Sequence, residues 1–179
     1  MKFIAMNSRL CYIIIWLSRI HRCLGFGIQS PTDYQFVRSV VNEHRPYYAY
    51  QWLGSDDSWL ERKLGLLYFR IANWRQPHHF IDKAKASPYI IAGCRRAVPS
   101  AVNDGPVELA VVRDCSLAHQ LLCHCDSQSV MIVEDLCHQK EAWKELVKST
   151  QVTISFDLYY CGILMFDPKR SKQQYIINF

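Results

Sequence analysis

Three carboxylates stand where this chain could do chemistry: Asp82 after the apolar pair Phe80-Ile81, and Glu134 with Asp135 after Val130-Met131-Ile132-Val133. A short apolar run that ends in an acid and passes straight into a helical pattern reads as one βα step of an open parallel sheet. Ligands bind such sheets at the carboxyl edge. At that edge Glu134 and Asp135 could act as general base or hold polar groups of a ligand, while Asp82 and the Ser87 hydroxyl could hold a cofactor. The plainer role for these acids is to cap a helix or to sit solvated at a strand end.

Soft-metal ligands are also concentrated in one region: His119, Cys123, His124, Cys125, Cys137 and His138. His119 and Cys123 are four apart and would share a helix face, as a pair of zinc ligands can. No CxxC pair is present, and Cys123 and Cys125 would point apart on a helix. No metal centre is therefore expected. The bare pair His78-His79 does not alter that.

The elements that position these groups follow from the pattern. Ser30-Pro31-Thr32-Asp33 reads as an N-cap, a proline at the first helical position and an acid at the third, with Val37, Val40 and Val41 as the buried face. Ser55-Asp56-Asp57 opens a long helix with the stripe Leu60, Leu64, Leu67, Ile71 and Trp74, closed at Pro77. Phe80 to Asp82 is the first strand, and Ser87-Pro88 starts a helix that turns Ile90, Ile91 and Cys94 inward. Asn103-Asp104-Gly105-Pro106 is a turn. Val107 to Val112 is the second strand, and the central strand begins at Ser129. Gln151–Phe156 alternates apolar and polar residues, so one face is expected to be buried. Tyr160–Phe166 and Tyr175–Phe179 add two runs. No helix separates these last three, so all are expected to pair antiparallel.

Ahead of this unit, Leu10, Ile13, Ile14, Leu17, Ile20 and Leu24 form one apolar helical stripe, with Arg9, Tyr12, Trp16 and Arg19 on another face. The stripe is expected to pack on the domain or on a second copy. An interfacial membrane helix is the alternative. The aromatic run Tyr47–Trp52 could stack bases, but a seam between helices is the expected role.

Composition narrows the classes. With 179 residues, half of them hydrophobic, the chain can bury a real core. Residues 1–76 are expected to form a helical region and residues 77–179 an α/β domain, together one compact unit. The net charge of +5 is spread over separated groups, too thin for a nucleic-acid face. Eight scattered cysteines without framework spacing suit reduced thiols in the cytoplasm. The apolar run Leu10–Leu17 is far below the roughly 20 residues of a membrane span. No cleavage pattern follows it, so neither export nor a transmembrane segment is expected.

Two stretches resemble a known family. His21-Arg22-Cys23-Leu24-Gly25-Phe26-Gly27-Ile28-Gln29-Ser30-Pro31 with Arg45-Pro46-Tyr47-Tyr48-Ala49-Tyr50, and Val130 through Trp143 with Val152–Asp157 and Gly162–Phe166, are similar to the two ends of a bacterial group of class I S-adenosylmethionine-dependent methyltransferase-like proteins. The resemblance implies a Rossmann-like sheet of methyltransferase type, here truncated, with an N-terminal helical extension and a C-terminal antiparallel hairpin. It also implies a cofactor pocket at Asp82, where the family has an acid followed by glycines. This chain instead reads Asp82-Lys83-Ala84-Lys85-Ala86-Ser87. Between Pro99 and Val107 there is no room for the family's next two βα units, and Arg113 stands where that family carries an acid. The resemblance thus implies a member that has lost S-adenosylmethionine, binds no other cofactor, and works as a scaffold or partner subunit, with a protein partner or a second copy. The alternative is an active methyltransferase with an atypical pocket.

Overall fold

The computed structural model describes residues 8–101 and 105–179. The start of the chain, and Asn103 and Asp104 of the expected turn, lie outside the described residues. The element order is α1 (Ser8–Ser18), α2 (Pro31–Phe36, extended by a π turn over Val37–Val41), α3 (Trp59–Arg75), β1 (His79–Asp82), α4 (Ser87–Gly93), β2 (Val98–Pro99), β3 (Val107–Val112), α5 (Cys115–Leu121), β4 (Cys125–Glu134), α6 (Lys140–Lys148), β5 (Ile154–Asp157), β6 (Cys161–Met165) and β7 (Gln173–Ile176). The protein is a mixed α/β structure on one seven-stranded, mostly parallel sheet of order β2-β1-β3-β4-β6-β5-β7.

The sheet is buried on both faces, which is why its inner strands read as continuous apolar runs rather than clean alternations. Phe80, Leu109, Val111, Val130 and Ile132 point into the core shared with α2, α3 and α4. Their neighbours Ile81, Ala110, Val112, Met131 and Val133 point into the core under α5 and α6. The same burial corrects the one-faced reading of Gln151–Phe156, since Thr153 and Ser155 are buried too. Gly162 is what lets α6 lie against β6, because a Cβ there would stand 2.3 Å from the Trp143 ring.

Several expectations need correction. A two-residue strand, β2, lies parallel to β1, so Val107–Val112 is the third strand, not the second. The last three strands are not all antiparallel. β6 runs against both β4 and β5, but β7 lies parallel to β5. Both sides of β6 are occupied, so the returning chain can only add beyond β5, in the same direction. The cap of α3 is Ser58, not Ser55: its hydroxyl accepts from the Glu61 amide, and the Glu61 carboxylate accepts from the Ser58 amide. Ile91 is exposed on α4 rather than turned inward.

On α1 the expected apolar stripe does not pack on the domain, which leaves the other expectation, packing on a second copy. The stripe faces out, with Ile13, Ile14, Leu17 and Ile20 each about half exposed (48–54%). The other face packs: Tyr12 lies 4.6 Å from the Trp59 ring, and Arg19 pairs with Asp157 at 3.0 Å. An aromatic ring and a long cation with specific partners set the orientation, while Ile13 and Ile20 border clefts beside α3 with about half of their surface in solvent. Elsewhere the N-terminal region is tied down by charge. Asp33, 1% exposed, accepts from Arg170 at 2.6 Å and from the Tyr175 hydroxyl at 3.0 Å, joining α2 to the C-terminal strand.

Candidate functional site

β1 has β2 on one side and β3 on the other, so the chain reverses direction across the sheet between β1 and β3. Open α/β sheets bind ligands in the crevice at such a switch point, beyond the carboxyl ends of the strands. Asp82 ends β1, Arg113 and Asp114 follow β3, and Glu134 ends β4. The acids expected from sequence therefore do lie at this edge.

Asp82 is already fully engaged by its own loop. Its Oδ1 accepts from the Ala84 amide at 2.8 Å, and its Oδ2 accepts from the Ser87 amide at 2.7 Å and the Ser87 hydroxyl at 2.5 Å. The loop closes without glycine because Lys85 takes a left-handed conformation (φ 61°), a cost of about 1 kcal/mol. Burial alone would raise the Asp82 carboxyl. The donors from Ser87, Ala84 and Ala86 outweigh it and hold the group below its ordinary value. Asp82 and Ser87 are thus brought together, each satisfied by the other.

Glu134 and Asp135 are adjacent but turn apart. Glu134 points inward, accepting from the Tyr68 hydroxyl of α3 at 2.7 Å, with Arg113 Nε 3.4 Å from its other oxygen. Burial raises the Glu134 carboxyl despite both partners, and burial first, then nearby charge, raises Tyr68 well above the usual phenol range. Arg113 is largely exposed (61%), so its pairing contributes little. Asp135 adopts φ 55° and swings outward, where its Oδ1 meets His138 Nδ1 at 2.5 Å. The two carboxylates therefore have separate partners, Tyr68 and Arg113 for Glu134 and His138 for Asp135.

Tyr68 is the member of this group that the sequence reading missed. It sits beside Leu67 and Leu64 on the buried side of α3, and a buried tyrosine needs a hydrogen-bond partner for its hydroxyl. That was the available signal, but the partner lies 66 residues away.

The six soft ligands are not gathered into one site. Among the described residues, the group close enough to share a metal ion is Asp135, Cys137 and His138, whose ligand atoms lie within 4.8 Å of one another on an exposed turn. In it the Asp135–His138 contact already satisfies two of the three donors.

An S-adenosylmethionine molecule would need free loop amides after β1 and a second strand beside it carrying an acid. Asp82 takes the amides of Ala84 and Ser87, and β2 is only two residues long, Val98 and Pro99, with no carboxylate. The residues present do not fit that cofactor. No family model, no curated protein and no solved structure matches the chain.

Proposed function

We propose that this protein is a shortened α/β chain of methyltransferase type that does not bind S-adenosylmethionine and acts through contacts with a protein partner or a second copy of itself. One observation carries the reading: the polar groups of the β1–α4 loop are spent on Asp82, so a ligand finds no unpaired amide there at Ala84 or Ser87. The two-residue β2 supports it from the other side, because a crevice needs a wall beyond β1. The scattered spacing of the eight cysteines suits reduced thiols in a cytoplasmic setting.

The contact surface is the outward stripe of α1, where Ile13, Ile14, Leu17 and Ile20 stand together in solvent. The β2 edge is a poorer candidate. Val98 and Ser100 donate inward to His78 and Phe80, and Pro99 between them has no N–H to offer a neighbour. Among the described residues no helix is long and apolar enough to cross a membrane.

Two measurements test this reading. Solution mass at micromolar protein should exceed that of one chain, or a defined partner should co-purify, and Ile14→Glu with Leu17→Glu should abolish the association. Thermal unfolding should not shift with millimolar S-adenosylmethionine, since only a ligand bound to the folded state raises the midpoint. A strict monomer without partners, or a clear upward shift, would contradict it.

A further inference from the structure

Helices α1 and α3 touch at Tyr12 and Trp59, and a trough runs beside that contact. Tyr12 and Trp16 line it from α1, Ile20 from the turn after α1, and Trp59, Lys63 and Arg70 from α3. Two clefts, of about 550 and 340 Å³, meet at Trp16, Lys63 and Phe179. These volumes fall in the range of small-molecule sites. From Trp59 to Arg70 the trough follows the α3 axis for about 16 Å.

Its polar groups are unusual in kind. Lys63 Nζ sits 4.8 Å from the Trp59 ring centre and 4.6 Å from that of Phe179. Among the described residues no carboxylate pairs with it. Arg70, 7% exposed, spends its donors on the carbonyls of Val40 and Val41 and on the Tyr50 hydroxyl, again with no carboxylate pairing among the described residues. Asn42 Nδ2, in the same cleft, is buried with no hydrogen-bond partner. Glu43, an acidic side chain in the lining, accepts from the Arg45 amide at 2.9 Å and lies 3.9 Å from Arg45 Nε. Burial, then the Arg70 charge, pulls Lys63 below its ordinary value, as expected of a cation that lacks a counter-charge. At one end, then, stand two cations without counter-ions and an idle amide donor. The other end is walled by Tyr12, Ile13, Trp59 and Tyr160.

We infer that the α1–α3 trough binds a single-chain anionic amphiphile, a fatty-acid-like carboxylate, with its head at Lys63 and its tail along Tyr12 and Trp59. The charge sets the head: among the described residues no carboxylate pairs with Lys63, and a carboxylate head can accept from it. The aromatic lining and the length set the tail, which matches a medium-length acyl chain. This site lies apart from the β1–β3 edge and stands or falls independently of the cofactor question.

The test is calorimetric titration of the full chain with sodium dodecanoate below its micelle concentration, beside dodecanol as the neutral analogue. Saturable one-to-one binding is expected, at least about tenfold weaker for dodecanol and for Lys63→Met, and unchanged in the exposed control Lys144→Met. Absence of saturable dodecanoate binding, equal affinity for dodecanol, or affinity indifferent to Lys63→Met would overturn the proposal. So would binding confined to anionic phospholipid vesicles. The dodecanol comparison uses the unaltered chain, so it decides the matter even if a Lys63 variant folds poorly.

Discussion

Ser87 gives both its backbone amide and its hydroxyl to one oxygen of Asp82, at 2.7 and 2.5 Å, so the first residue of α4 and the last residue of β1 close the loop between them. The strand-end acid thereby becomes an internal anchor. It occupies the donors that a ligand at this edge would have used.

Ser87→Ala should cost about 1–2 kcal/mol at neutral pH, the loss of one hydrogen bond to a charged group. The sign of the pH dependence follows from the lowered Asp82 carboxyl. Its stabilisation is present above the ordinary aspartate value and fades as pH falls through the folded-state value. The gap between Ser87→Ala and the parent chain should therefore narrow in acid. Denaturant midpoints across acidic and neutral pH would show it, and a gap that widened in acid would be inconsistent with the bond.

Glu134 should act in the opposite sense. Its carboxyl is raised by burial, so its contribution is favourable below the ordinary glutamate value and is lost as pH rises through the folded-state value. Glu134→Gln keeps an acceptor for Tyr68 and removes the charge. Its stability should fall less than the parent's between acidic and neutral pH, as read by the same unfolding series. Parallel curves would mean that Glu134 is not desolvated.

The Asp33–Arg170 pair should dominate the attachment of α2 to the C-terminal strand. Arg170→Ala leaves a carboxylate that is 1% exposed without its cation. That should cost about 3 kcal/mol, the lower end of the range for breaking a buried pair, because Arg170 retains some solvent contact. Tyr175→Phe removes only a hydrogen bond and should cost about 1 kcal/mol. Urea unfolding of both single variants and the double variant would measure the coupling. Equal losses would show that the charge is not what matters.

Lys85→Gly should stabilise the chain by about 1 kcal/mol, because glycine takes a positive φ without steric cost. Thermal unfolding would detect it. A loss of stability would mean that the Lys85 side chain has a partner worth more than the strain.

Local chemistry was legible in the sequence. Val107–Val112 was placed to the residue, and Ser30-Pro31-Asp33 caps α2 as read. Ser58-x-x-Glu61 was also there to be read as a capping box, but the acidic pair at Asp56-Asp57 drew the start of α3 too early. The two residues of β2 carry no periodicity. The direction of β7 depends on which neighbour of β6 is already taken, a fact about the whole sheet. Counting apolar positions on α1 showed a stripe but not its direction, which Tyr12 and Arg19 decide through partners far along the chain. At the candidate site, all four chosen residues lie at or just beyond the strand ends of one sheet edge. Their contacts were not legible, because Tyr68 and Arg113 reach Glu134 from other elements.

Isothermal titration of the purified chain with S-adenosylmethionine is the most direct test of whether the loop after β1 is closed to a cofactor. The expected result is no binding heat up to millimolar ligand, for the parent chain and for Lys85→Gly alike. Saturable micromolar binding that Asp82→Ala or Ser87→Ala abolished would contradict it.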